Sequence, residues 1–255
     1  MITIYNPERF NCSPDAVLFD TDDTIYEYQP AHKFAMEMVL KKVTEMFSIS
    51  NEQFFHAFGQ ARKEIKERLK QTASSHSRLL YFQRMLEIIG LGSQFLLALD
   101  FEQTYWRTFL SKIVLFNGVK DFLDDLRLSG IPTAVVTDLT AQIQFRKIVY
   151  FGLENYFDFI VTSEEAGHDK PSPAPFEIAV EKMQKKGACI WMIGDNPLND
   201  IDGARKAISA VTIQKVHKGV DLGKGIYQPD AVISNFNSLR KLFSDIQNER
   251  DKKNS

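Results

Sequence analysis

Five short apolar runs, at 16–20, 133–138, 159–163, 188–195 and 210–213, stand out along the chain, and none alternates between apolar and polar positions. Unbroken apolar strands of that length are buried on both faces, as in a parallel sheet covered by helices. Between them, 119–128, 140–150, 173–185 and 200–207 carry helical spacing. Strand–helix alternation predicts an α/β fold, a doubly wound parallel sheet. More than a hundred residues separate the first run from the second, far beyond an ordinary crossover. Within that stretch 31–46, 52–69, 77–89 and 95–109 have helical periodicity and no proline, and Pro30 stands at the entry. The expected division is therefore a Rossmann-like core, 1–25 and 113–255, with an inserted α-helical cap at 26–112.

Composition narrows the partners. The 255 residues include 31 basic and 33 acidic side chains and are 44% apolar, which excludes a disordered tail or a collagen-like rod. A net charge of −2 supplies no global field for nucleic acid, so no nucleic-acid partner is expected and any anion binding must be local. Residues 26–112 hold 12 basic and 9 acidic side chains, leaving 19 and 24 elsewhere, so the cap is mildly basic and the core acidic. Cys12 and Cys189 are too few for a disulfide scaffold, and Cys189 sits in an apolar run as a buried free thiol. The first ten residues show no basic stretch followed by an apolar run, and no window of about 18 apolar residues occurs, so no membrane partner and a cytoplasmic location are expected. The polar tail 248–255 reads as frayed.

Candidate chemistry collects where the apolar runs end. The first closes on Asp20-Thr21-Asp22-Asp23-Thr24, which alone reads equally as a turn, a metal site or a phosphoryl-acceptor site. The fourth closes on Gly194-Asp195, with Asp200 five positions on, where it either caps the next helix or contacts a metal. In an open parallel sheet, ligands bind beyond the carboxyl ends of the strands where strand order reverses. Carboxylates about 4 Å apart repel by roughly 4 kcal/mol per pair at an effective dielectric near 20, so such a cluster stays ionised only around a cation. Oxygen ligands without a His or Cys cluster point to Mg²⁺. Thr137, at the end of the second run, either fills a strand or offers a hydroxyl to phosphate. Lys170 is either solvated or held in place by Pro171, with Ser172 capping and Pro173 opening the following helix.

With these residues in this order, the chain resembles the haloacid dehalogenase-like hydrolase superfamily, in the subgroup with a helical cap after the first strand. The motifs are Asp20-Thr21-Asp22-Asp23-Thr24, Thr137, Lys170-Pro171 and Gly194-Asp195 through Asp200, with Tyr156-Phe157-Asp158 and Asn199-Asp200-Ile201-Asp202-Gly203-Ala204 also fitting. The resemblance implies a Mg²⁺-dependent phosphatase acting through an aspartyl-phosphate on Asp20. Asp22 would serve as general acid and base with a raised pKa, touching the metal through its backbone carbonyl. Asp20, Asp195 and Asp200 would ligate the ion, while Thr137 and Lys170 would neutralise phosphoryl oxygens. An acid at the Asp22 position separates phosphatases of this superfamily from dehalogenases, whose halide leaves without a proton. Asp138, where many relatives have Asn, would either point into the phosphate pocket or cap the next helix.

Relatives with such a cap act on phosphoglycolate, sugar phosphates or nucleoside monophosphates, so the expected partner is a small phosphorylated metabolite, bound by a monomer or homodimer. Tyr26 and Tyr28 are candidates for the mouth of the site. In the cap, His76, Arg78 and Tyr81 lie near a helix start, and Arg78 would either meet a substrate carboxylate or second phosphate, or pack within the bundle. The rival reading is a catalytically altered binding protein of the same fold, or a phosphoacceptor of the receiver type, whose domains are about half this length and lack the insertion.

Overall fold

The computed structural model describes residues 1–254, with side chains through residue 249. The chain divides into two compact units, Met1–Glu27 with Val114–Ser255, and Tyr28–Ile113. The strands are β1 (Ile2–Ile4), β2 (Ala16–Phe19), β3 (Thr133–Thr137), β4 (Phe159–Thr162), β5 (Ile190–Gly194), β6 (Val211–Lys215) and β7 (Ala231–Ile233). The helices of the second unit are α1 (Tyr28–Met46), α2 (Asn51–Leu69), α3 (Arg78–Ile88) and α4 (Phe95–Leu110). Those of the first are α5 (Val119–Leu128), α6 (Ala141–Tyr150), α7 (Ser163–Ala166), α8 (Pro173–Lys182), α9 (Gly203–Ile208) and α10 (Phe236–Asn254).

All seven strands form one sheet in the order β1-β7-β6-β5-β2-β3-β4, parallel throughout except for the antiparallel β1–β7 pair. The unbroken apolar runs become β2, β3, β5 and β6, whose residues are all buried. Successive side chains point to opposite faces. Leu18, Val136 and Met192 pack with Phe176 and Ala179 of α8 and Ala204 of α9. On the other face Phe19 meets Phe122 of α5 with ring centroids 6.1 Å apart, and Trp191 meets Phe243 of α10 at 6.4 Å.

From β2 the chain builds outward to β3 and β4, then returns to β5 on the other side. Phe19 accordingly pairs with both Val135 and Ile193. The carboxyl ends of β2, β3 and β5 are thus neighbours at the point where strand order reverses, the place such sheets use for ligands.

Four elements depart from the expected pattern. The strands β1 and β7, three residues each, lie outside the predicted runs. The helix read at 200–207 begins later, because a π-helical turn, Pro197–Asp202, precedes α9. Helix α10 continues to Asn254 through the segment read as a frayed tail, of which Ser255 lies outside the described residues.

The second unit is a helical bundle in which α1 packs on α4, and α3 on both α2 and α4. Its core is aromatic, with Phe54, Phe82, Phe101, Tyr105 and Phe109 buried. Ser50 and Gln53 close the start of α2 with reciprocal hydrogen bonds of 3.1 and 2.7 Å, a capping box. Among the described residues, no helix is long and apolar enough to cross a membrane.

Trp191 ties the central strands to both the amino-terminal segment and α10, since its ring also meets Phe10 edge-on at 5.5 Å. Trp191→Ala is expected to lower unfolding free energy by about 3–5 kcal/mol in urea titrations. A loss below about 1 kcal/mol would contradict this packing.

Candidate active site

Asp20 follows β2 and extends its ladder by one residue, donating its N–H to the Ile193 carbonyl at 2.9 Å. Its carboxylate is thereby fixed beside the end of β5, where Asp195 follows. Lys170 reaches in from the loop before α8. Its buried ammonium donates to Asp20 Oδ1 and Asp200 Oδ1, each at 2.6 Å, and to the Val136 carbonyl at 3.0 Å. The second oxygen of Asp20 accepts from Thr24 Oγ1 at 3.1 Å, and that of Asp200 from the Asn196 N–H at 2.9 Å. Carboxylate oxygens of Asp20, Asp195 and Asp200 lie within 4.8 Å of one another. Gly194 makes room for this, because a Cβ there would collide with the Asp200 side chain. Asp200 does not cap a helix; Asn196 does that work, accepting from the N–H groups of Leu198 and Asn199 at 3.0 and 2.9 Å.

One ammonium among three carboxylates leaves an excess of negative charge. Burial, with Asp200 nearby, pushes Asp20 up to about 7 despite Lys170. Burial and the neighbouring acids Asp200 and Asp20 push Asp195 up to about 9. Lys170 moves the opposite way to a buried lone lysine: Asp20, Asp200 and Asp138 outweigh its desolvation and raise it well above its ordinary value. An oxygen-only donor set with surplus charge suits a hard divalent cation.

Asp22 faces a different environment. Burial alone would raise its pKa, as the sequence led us to expect, but Lys147 of α6, with hydrogen bonds from Lys147, Tyr26 and Thr21, holds it below the ordinary carboxylate range. The Lys147 ammonium, 1% exposed, lies 2.6 and 2.9 Å from the two Asp22 oxygens. Tyr26 therefore does not line the mouth of the site: it is fully buried, and its hydroxyl donates to Asp22. Thr137 ends β3 with its hydroxyl 2.8 Å from Thr21 Oγ1 and 2.9 Å from Gln144 Nε2.

Asp138 takes neither expected role. Its carboxylate accepts the Lys170 backbone N–H at 2.9 Å, so it holds the loop that carries the lysine, while the first N–H of α6, that of Ala141, donates to Glu164 at 2.8 Å. Ser172 stands at the start of α8 but makes no capping hydrogen bond, so Asp138 supplies the restraint expected of it. Within the cap, Arg78 packs among the rings of Tyr81, Tyr105 and Trp106, 5.3–5.7 Å from their centroids. It donates to the His76 carbonyl at 2.7 Å and the Tyr28 hydroxyl at 2.5 Å, and its buried Nε has no hydrogen-bond partner. Tyr28 is thus part of this cluster, its hydroxyl also 3.1 Å from that of Tyr105.

Lys147 and Gln144 are absent from the sequence-based set. Both are buried on α6 together with Ile143 and Ile148, and two polar residues inside an apolar stripe were the available signal.

The raised values of Asp20 and Asp195 fix the sign of a pH effect. Between the usual carboxylate value near 4 and these values, the folded chain holds more protons than the unfolded one, so stability falls as pH rises. Without divalent cations, the melting temperature is expected to fall from pH 5 to pH 9, and Asp195→Asn to flatten that decline. A flat profile in the unsubstituted chain would contradict the charge excess.

The sequence profile described as haloacid dehalogenase-like hydrolase matches residues 17–213. A curated relative, ribulose-1,5-bisphosphate 5-phosphatase of Halopiger xanaduensis, is 34% identical over 190 residues, covering 74% of this chain and 80% of its own length. Glyceraldehyde 3-phosphate phosphatase of Methanopyrus kandleri is 30% identical over 198 residues, 75% of this chain and 80% of the relative. Among solved structures, 2-haloacid dehalogenase from Pseudomonas syringae pv. Tomato DC3000 shares the fold at TM-score 0.72 and 23% identity, over 90% of this chain and 98% of that one. An HAD phosphatase from Thermococcus onnurineus does so at TM-score 0.68 and 24% identity, over 89% and 96%. The chain belongs to the haloacid dehalogenase-like hydrolase family.

Proposed function

We propose that this chain is a Mg²⁺-dependent phosphatase that hydrolyses a small phosphate monoester through an aspartyl-phosphate on Asp20. The observation that carries the reading is the meeting of Asp20, Asp195 and Asp200 within 4.8 Å, with Lys170 bonded to two of them. The ion would be held by those three carboxylates and by the backbone carbonyl of Asp22. When bound, Mg²⁺ draws charge from the phosphoryl oxygens and favours attack at phosphorus.

Asp20 attacks the phosphorus and displaces the alcohol, and water then frees the carboxylate, splitting one hard step into two easier ones. Lys170 and the Thr137 hydroxyl receive the charge that builds on the phosphoryl oxygens. Asp22 handles the protons. Held ionised by Lys147, it is in the form needed to take a proton from the attacking water. For the first step it must carry a proton, and a phosphate monoester, with a second ionisation near pH 6, brings one. That proton passes from substrate to Asp22 and on to the leaving oxygen. A halide would need no such relay, so the acid beside Asp20 favours a phosphate ester over a haloacid.

For the substrate, the names of the two curated relatives support a phosphorylated sugar or a similar small polyol. Arg78 is the cap residue suited to a second anionic group, because its guanidinium has only neutral partners and one buried N–H to spare.

The test is a panel of phosphorylated metabolites incubated with the purified chain and Mg²⁺. Asp20→Asn is expected to lower turnover at least about a thousandfold, and equal turnover would remove Asp20 as nucleophile. Arg78→Met is expected to raise KM about 10- to 100-fold for esters bearing a second phosphate or carboxylate, and to leave simple monophosphates near their original KM. An equal effect on both classes would assign Arg78 to bundle packing instead.

A further inference from the structure

At the end of the sheet opposite the carboxylates, two thiols face each other. Cys12 Sγ lies 3.5 Å from Cys189 Sγ, although 177 positions separate them in the chain. Cys189 immediately precedes β5, whereas Asp195 immediately follows it. At about 3.3 Å per residue, the five-residue strand keeps the two sites on the order of 17 Å apart. The thiols therefore lie outside the machinery described above, and Cys189 is half-buried rather than the fully buried thiol its apolar surroundings suggested.

The approach is built by the backbone, independently of the sulfurs. Asp15 donates its N–H to the Cys189 carbonyl at 2.7 Å, and the Cys189 N–H donates to the Asp15 carboxylate at 2.8 Å. Ahead of Cys12, Asn6 donates to Asp230 at 2.7 Å, and Arg9 donates to the carbonyls of Ser209 and Ala210 at 2.8 and 3.0 Å. Phe10 then packs against Trp191. Both cysteines are held in register before any bond joins them. A disulfide needs its sulfurs about 2.05 Å apart, so the remaining closure falls to side-chain rotation.

The two thiols differ in kind. Cys12 is exposed, open to a dissolved oxidant. Burial, with the second thiol of Cys12 beside it, pushes the Cys189 thiol up to about 12, so it stays protonated at neutral pH. The difference in exposure sets the order, with Cys12 oxidised first, and the 3.5 Å approach lets Cys189 resolve it as its proton leaves with the departing hydroxide.

We propose that Cys12 and Cys189 form a reversible intramolecular disulfide that staples the amino-terminal segment to the start of β5 under oxidising conditions. With hydrogen peroxide as oxidant, the Cys12 sulfur attacks the O–O bond and becomes a sulfenic acid, releasing one water. The Cys189 sulfur then displaces hydroxide from that sulfenic acid, the S–S bond forms, and the departing hydroxide takes the Cys189 proton as a second water. The two thiols have lost two protons and two electrons, and one peroxide has been reduced to two waters. A dithiol reductant reverses the bond by exchange. Because the bridge closes a long loop, it restricts the unfolded chain strongly.

The test treats the full-length chain with hydrogen peroxide and follows free thiols, intact mass, peptide maps and melting temperature. Expected are loss of both thiols, a monomer lighter by two hydrogens, and a cross-linked pair of peptides containing Cys12 and Cys189. The melting temperature should rise by roughly 5–10 °C and return with dithiothreitol. Cys12→Ser and Cys189→Ser should each abolish the rise. Retention of both thiols, a disulfide-linked dimer as the product, or sulfinic acid on Cys12 beside a free Cys189 would overturn the proposal. The peptide map of the unsubstituted chain decides the matter even if a variant folds poorly.

Discussion

The buried Lys170 ammonium, shared between Asp20 and Asp200, is the contact on which the site depends. Two carboxylates at neighbouring strand ends and a third from the turn after β5 repel one another, and a fold that gathers them must offset that repulsion locally. One lysine does so only in part, as the raised Asp20 and Asp195 values show. Ion pairs this deeply buried contribute little net stability, because desolvation consumes most of the attraction. Their value here lies in position: the residual negative charge suits a divalent cation, which would in turn offset the repulsion between these acids and an anionic phosphate.

The sheet makes this gathering possible through register. Phe19 pairs with Ile193 on one side and Val135 on the other, so Asp20, Asp195 and Thr137 emerge together at one rim. Around them the loops are held by side chains rather than by further ladder. Asp138 fixes the backbone of Lys170, and Asn196 turns the chain so that Asp200 comes back over Gly194. Leu139, directly after Asp138, adopts φ 95, a conformation that is strained for a branched side chain and held by the Ser163 hydroxyl accepting its N–H at 3.0 Å.

Much of this architecture was legible in the sequence because its central strands are unbroken apolar runs that end in polar residues. The edge was not. β1 and β7 have three residues each, and β1 is mostly exposed, so neither leaves a hydrophobic signature. Asp20 and Asp195 could be read because they follow strands directly, and Lys170 because Pro171 and Pro173 mark the loop before α8. Lys147 could not, since it reaches Asp22 across 125 positions from the middle of a helix. That contact reverses the expected direction of the Asp22 pKa, an outcome that depends on which cation arrives in space. Tyr26 and Asp138 show the same limit: both are polar residues near the motifs, and both serve neighbouring side chains or backbone rather than open space.

The central claim, that Asp20, Asp195 and Asp200 together hold one divalent ion, is tested most directly by anomalous diffraction from crystals soaked in Mn²⁺. The account predicts a single strong peak about 2.1 Å from an oxygen of at least two of these three carboxylates. No peak there, or a peak only at surface acids, would contradict it.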